Sequence, residues 1–226
     1  MVRNCLFCEN PLQESYSLIE ILTLKNKKRW TCTSCQNQFV SIETNHCPRC
    51  YRDDCQGICN DCLRWEEKGH LVDHYALYKN NQAMSDFFNL YKKQGDYHLK
   101  NVFSDKLREH IAKEFSHYHV IPIPSSEKQI DKLGYDPVKE VIKASKIPYE
   151  DLIQCNEIAE KKKSTINMEK SLRKKYSLNP KIMAKLCGRK LLIVCDRYQT
   201  GNTIYMIKEL LIANGFQEIK SLSIVR

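Results

Sequence analysis

The chain has 226 residues, 42% hydrophobic and 28% charged, the composition of an ordinary water-soluble protein with room for one large domain or a domain plus a small module. Lys and Arg outnumber Asp and Glu by 36 to 27, a net charge of +9 that either favours phosphate-bearing partners through counterion release or simply keeps the surface soluble. No apolar run approaches the roughly 20 residues that cross a bilayer, the start shows no apolar secretory segment, and 7 glycines and 7 prolines exclude collagen-like or proline-rich architectures. The expected location is the cytoplasm.

The first 65 residues carry few long apolar side chains in any periodic pattern, so a hydrophobic core alone would not hold them. They carry cysteine instead: nine of the 12 (Cys5, Cys8, Cys32, Cys35, Cys47, Cys50, Cys55, Cys59 and Cys62) lie before residue 63. In a reducing compartment thiols at this density point to metal. Four C-x-x-C pairs are present, and two intervening residues let both thiolates turn toward one ion at about 2.3 Å. A closed structural zinc site needs four ligands, so two pairs make one site. By sequence order the sites are Cys5, Cys8, Cys32, Cys35 and Cys47, Cys50, Cys59, Cys62. An interleaved cross-brace is the alternative, and Cys55 is the spare thiol that could replace Cys50 or Cys59. Such sites hold structure and leave no open position for catalysis. Trp30 beside Lys27, Lys28 and Arg29 is either a basic stacking surface or the plug of a very small core.

From about residue 70 the pattern changes, and the module boundary is expected between 63 and 70, dividing the chain into 1–66 and 67–226. His74 to Tyr78 reads as a strand. Met84, Phe87, Phe88 and Tyr91 fall at helical spacing, as do Phe103, Leu107, Ile111 and Phe115. Val120 to Pro124 reads as a short buried strand ended by its prolines, and Asp136-Pro137 as the N-cap and first residue of a helix. Cys155 and Cys187 read as small buried fillers. The histidines, His117 and His119 among them, show no ligand spacing. Lys161 to Lys175 is basic and without apolar periodicity, either a loop or a solvated linker. Leu191-Leu192-Ile193-Val194 is an apolar run typical of a strand buried on both faces in a parallel sheet. After a turn comes a helix bearing Ile204, Ile207, Leu210 and Leu211, stopped at Asn214-Gly215, and then a closing strand from Ile219 to Val225. Strands alternating with helices predict an α/β domain with a largely parallel sheet.

The chemistry of this second part centres on Cys195-Asp196-Arg197-Tyr198-Gln199-Thr200-Gly201-Asn202-Thr203. An apolar strand delivers an acid at its C-terminal end, and a T-G-x-T turn opens a helix whose free N–H groups and dipole suit a phosphate. Gly201 permits close backbone approach, and the Thr200 and Thr203 hydroxyls add donors. Ligands of such sheets bind beyond the carboxyl ends of the strands. The plainer alternative is a strand–turn–helix with Thr or Asn as N-cap.

The segment resembles the phosphoribosyl pyrophosphate (PRPP) motif of type I phosphoribosyltransferases, and together with the double zinc ribbon it resembles the ComF/GntX family. Tyr91-Lys92-Lys93-Gln94-Gly95-Asp96-Tyr97 is similar to that family's F-K-x-x-G-D-Y, Ile121-Pro122-Ile123-Pro124 to its V-P-V-P, and Gly134-Tyr135-Asp136 stands where it carries G-F-N. The resemblance implies a type I phosphoribosyltransferase-like sheet flanked by helices behind a four-cysteine zinc-ribbon module. It also implies a PRPP or phosphate site built from Cys195, Asp196, Gln199, Thr200, Gly201, Asn202 and Thr203, with Ser125 and Ser126 on the pyrophosphate side. A flexible loop closes over such sites, and Lys161 to Lys175 is suitably placed for one. The departures matter. Cys195 replaces the first acid of the pair, Gln199 stands where some members place a catalytic carboxylate, Leu133 replaces an arginine, and Asp136 and Pro137 replace an Asn and a Gln. A neutral thiol cannot replace a carboxylate as hydrogen-bond acceptor or Mg2+ ligand, a loss of about 1.5–3 kcal/mol.

The family resemblance implies a role in natural transformation, importing or handling single-stranded DNA beside a helicase-like competence ATPase, with a degenerate transferase domain. An active transferase using PRPP and Mg2+, and a zinc-ribbon adaptor docking the ATPase, are the alternatives.

Overall fold

The computed structural model describes residues 3–12, 22, 28–156 and 175–226. Lys27 and the basic run from Lys161 to Lys174 lie outside them. The frame is an all-parallel four-stranded sheet in the order β1-β6-β5-β2, where β1 is His74–Tyr78, β2 His119–Pro122, β5 Leu191–Arg197 and β6 Ile219–Val225. A small antiparallel pair, β3 (Ile153–Cys155) and β4 (Tyr176–Leu178), stands apart from it. The expected α/β class with a parallel sheet flanked by helices is what forms.

Alternation along the strands divides the interior in two. On one face Leu192, Val194, Leu222 and Ile224 meet α3 (Gln82–Asn89), α4 (Ser104–Glu114) and α6 (Pro137–Ala144). On the other, Leu191, Ile193 and Cys195 meet Leu186 of α7 (Pro180–Leu186) and α8 (Asn202–Ala213). A central strand buried on both sides needs apolar residues at every position, which is why Leu191 to Val194 has no polar break. Asp136 caps α6 as its sequence suggests, its Oδ1 accepting from the amides of Val138 at 3.1 Å and Lys139 at 3.3 Å. α5 (Glu127–Leu133) is capped in the same way by Ser126, which accepts from Gln129 N at 3.3 Å.

The cysteine-bearing segment wraps the β1 edge. Ser41 bridges antiparallel to Tyr78, with Ile42 N donating to Leu77 O and Lys79 N to Val40 O, so the exposed edge is paired. Phe39 enters the first core edge-on to Phe7 at 5.2 Å and Phe103 at 5.0 Å. Cys47, Cys50, Cys59 and Cys62 lie in the second core with α8.

The two cysteine groups share one local design. Cys5 N donates to Asn10 O at 2.8 Å and Cys47 N to Arg52 O at 2.8 Å, closing matched turns. The residue four beyond each first cysteine takes a left-handed conformation: Glu9 at φ 62° and Tyr51 at φ 60°. The second pair of each group opens a helix, Cys32 as N-cap of α1 (Thr33–Gln38) and Cys59 as N-cap of α2 (Asn60–Glu67).

One minor expectation fails. Cys187 is exposed, and Cys155 only half-buried, so neither is a buried filler. Cys187 stands at the end of α7, where the chain turns out of the helix.

Candidate functional site

Four sulfurs from Cys5, Cys8, Cys32 and Cys35 lie within 4.8 Å of one another, and so do those of Cys47, Cys50, Cys59 and Cys62. These are the sequence-order groupings, and Cys55 stands outside both. Amides aim at the sulfurs, Cys32 N at Cys5 Sγ (3.3 Å) and Cys59 N at Cys47 Sγ (3.3 Å), an arrangement that favours the thiolates a metal needs. A tetrad of thiols at this separation fits a tetrahedral ion such as zinc. The clusters differ in setting: all four cysteines of the second are buried, whereas Cys8 and Cys32 of the first are half-exposed.

Parallel register brings the other predicted residues to one edge of the sheet. Pro122 pairs with Val194, so the chain leaves β2 toward Ser125 and leaves β5 at Asp196 side by side. Ser125 is pinned: its amide donates to Asp136 Oδ2 at 3.1 Å and its hydroxyl to Oδ1 at 3.5 Å. The Ser126 hydroxyl is occupied as the α5 cap.

Cys195 is fully enclosed, and burial pushes its thiol up to about 12, so it is neutral at physiological pH. Asp196 is engaged by the Lys92 ammonium, which reaches it from a π-helical turn, Leu90–Gln94, closed by Gly95 at φ 81°. A π turn widens a helix locally and re-aims its side chains. Burial lowers the Lys92 ammonium to about 8. Arg197 adds a second cation, its guanidinium 4.9 Å above the Phe88 ring, with the Lys92 ammonium 5.6 Å from that ring. The strand end therefore offers one carboxylate, already paired, and two cations, with the neutral Cys195 thiol enclosed in the core behind them. That donor set does not fit Mg2+, which takes free carboxylates and phosphate oxygens.

Gln199 and Thr200 form the exposed turn, and Gly201 at φ 85° leads into α8. Glycine is required there twice over. The backbone is left-handed, and an added Cβ would collide with the Tyr198 hydroxyl and come within 2.9 Å of the Tyr205 ring. The turn's carbonyls are taken from below: Trp65 Nε1 donates to Thr200 O at 2.8 Å and Arg226 Nη1 to Gln199 O at 2.6 Å. Among the described residues no side chain caps α8, and Asn202 and Thr203 in its first turn are exposed. An uncapped helix start with its carbonyls held behind it presents N–H donors and the positive dipole end outward, the geometry that receives an anion.

Beneath the turn, His74 stacks on Tyr198 at 4.0 Å and bonds Ser221 Oγ and Ser223 Oγ, each at 2.9 Å. Burial holds its pKa well below the ordinary histidine value, so it is a neutral brace. Lys92, Trp65, His74 and Arg226 are the residues that sequence reasoning did not single out for roles here. Two of them carried a usable signal: Lys92 lies in the stretch similar to F-K-x-x-G-D-Y, and Trp65 follows Cys62 by three positions and so shares its helix face.

The molecule is thus an α/β protein with two four-cysteine clusters in its N-terminal segment and a strand–turn–helix opening at the carboxyl edge of a parallel sheet. No family model matches the chain. The competence protein ComFC of Streptococcus pneumoniae R6 is 32% identical to it over 222 residues, 98% of this chain and 99% of that relative. The chain belongs to the ComF/ComFC family.

Proposed function

We propose that this chain is a competence factor that handles incoming single-stranded DNA in the cytoplasm during natural transformation, and that its β5–α8 turn binds phosphate without transferring it. Residues 1–66 serve as a zinc-held module and 67–226 as a phosphoribosyltransferase-like domain that has lost its chemistry. Full-length similarity to a protein named for competence supports the role, and the net charge of +9 suits a polyphosphate ligand. The observation that carries the non-enzymatic reading is the Lys92–Asp196 pair beside a neutral Cys195. A transferase of this kind uses its acids to hold ribose hydroxyls; here the one remaining acid is neutralised from within the chain. Lys92 and Arg197 then leave the strand end cationic, which favours an anion in the absence of Mg2+. Docking of a helicase-like ATPase by residues 1–66 belongs to the same role.

The test is fluorescence anisotropy with a labelled single-stranded oligonucleotide across a salt series. We expect binding that weakens about tenfold between roughly 50 and 200 mM salt, the slope for two or three phosphate contacts on a single strand. Binding that is absent or indifferent to salt contradicts the proposal.

A further inference from the structure

The second cysteine cluster and the phosphate turn, remote in sequence, are joined by two side chains. Arg226 is nine-tenths buried, with a side-chain exposure of 9%. It donates through Nη1 to Gln199 O at 2.6 Å, and through Nη2 it contacts Cys50 Sγ at 3.5 Å and Asp61 Oδ2 at 3.4 Å. Its guanidinium lies 4.8 Å from the centre of the Tyr198 ring, the ring that packs under Gly201. The second tie is Trp65. It sits on α2 one turn beyond Cys62, stacks on Tyr205 of α8 at 4.2 Å, and donates to Thr200 O at 2.8 Å. Among the described residues, by contrast, the amides that donate to the sulfurs of the first cluster come from its own segment: Phe7 N and Cys32 N to Cys5 Sγ, and Cys35 N to Cys32 Sγ.

We infer that the second cluster is a positioning element of the phosphate turn, with Arg226 and Trp65 as its two levers, so that metal held by Cys47, Cys50, Cys59 and Cys62 and an anion held at Gln199 to Thr203 stabilise each other. The four thiols, all within 4.8 Å of one another, fit a tetrahedral ion. The inference rests on the proposed phosphate binding for its ligand half only. With metal in place, α2 and Cys50 are fixed points. Arg226 and Trp65 then hold two successive carbonyls on the inner side of the turn and leave the α8 amides facing outward. When the metal is released, Cys50 and α2 are no longer fixed, the carbonyls lose their anchors, and the cradle loosens. Such coupling is reciprocal: an anion that orders the turn must slow loss of the metal by the same free energy.

The experiment uses the full chain with both clusters loaded with zinc, as wild type, Arg226→Met and Trp65→Phe. Trp65→Phe keeps an aromatic ring against Tyr205 while removing the indole N–H and part of the indole's stacking area. Two readouts are taken: amide hydrogen exchange over residues 199–204, and zinc release to a chromophoric chelator with and without ribose 5-phosphate. We expect each variant to raise exchange over 199–204 at least fivefold. Release from the second cluster should be faster, and release from the first unchanged. In wild type, saturating ribose 5-phosphate should slow release from the second cluster at least fivefold, and that protection should vanish in Arg226→Met. Unchanged exchange over 199–204 in both variants overturns the positioning role. If wild type shows no response to ribose 5-phosphate, the phosphate reading fails by itself, while the exchange and release comparisons still decide the positioning role. If one variant does not fold, the other carries both comparisons.

Discussion

The two cysteine clusters are built alike and embedded differently. Both begin with a turn closed by a backbone bond from the first cysteine and a left-handed residue four positions on, and both end on a helix start. Yet the first leaves Cys8 and Cys32 partly exposed, with the adjoining Phe39 set against Phe87 and Phe103, while all four cysteines of the second lie inside the core that carries α8. The same four-cysteine arrangement therefore stands partly exposed in one place and enclosed in a core in another. What separates the two is the neighbour set: Arg226, Trp65, Tyr198 and Tyr205 surround the second cluster and the turn together.

The comparison is tested most severely by removing one ligand from each cluster. Cys62→Ser, in the buried cluster, should lower stability by more than about 4 kcal/mol, beyond the usual range of single substitutions. That is a fall in Tm of roughly 8–16 °C for a chain of this size. Cys8→Ser should cost less than half as much by thermal denaturation and leave one metal per chain by elemental analysis. Equal losses would erase the distinction between the clusters.

Gly201→Ala asks whether the turn tolerates any side chain. The left-handed backbone and the collision with Tyr198 should together cost about 2–3 kcal/mol in denaturant unfolding, and oligonucleotide binding should weaken with it. Next in size is Lys92→Met, which removes the ammonium from Asp196 and should lower anion affinity about tenfold. The same group sets a pH dependence. Its pKa in the folded chain, about 8, lies below the ordinary 10.5, so the charged form is disfavoured by folding. This lysine therefore costs stability below pH 8, a cost relieved as pH rises from about 8 to 10.5. Anion binding should run the other way and weaken as pH passes 8, because the ammonium is lost; a flat binding profile across that window excludes Lys92 from the site. The smallest expected effect is Glu9→Gly. Relief of a left-handed glutamate should raise stability by about 0.5–1 kcal/mol, confirming that the rim turn is held against its backbone preference.

Much of this architecture is legible without coordinates, for identifiable reasons. Leu191 to Val194 announces a strand covered on both faces, and Asp136-Pro137 announces a helix start, because burial and capping leave residue-level marks. The C-x-x-C pairs are legible because metal geometry demands that spacing. The three-residue strands β3 and β4 escaped because they are too short to show alternation. The Lys92–Asp196 pair joins residues 104 positions apart, and nothing local to either predicts the other. The position of Asp196 near the end of β5 follows from the apolar run before it; its pairing with Lys92 is a tertiary fact. So is the role of Arg226, whose partners Gln199, Cys50 and Asp61 come from three separate segments.

Calorimetric titration of the metal-loaded chain with PRPP, run with and without Mg2+, decides whether the β5–α8 turn is an anion cradle independent of Mg2+. A cradle served by Lys92 and the α8 amides, with no free acidic pair, should bind PRPP with the same affinity in both conditions and release no pyrophosphate. Affinity that appears only with Mg2+, or an absence of heat at millimolar PRPP, would contradict it.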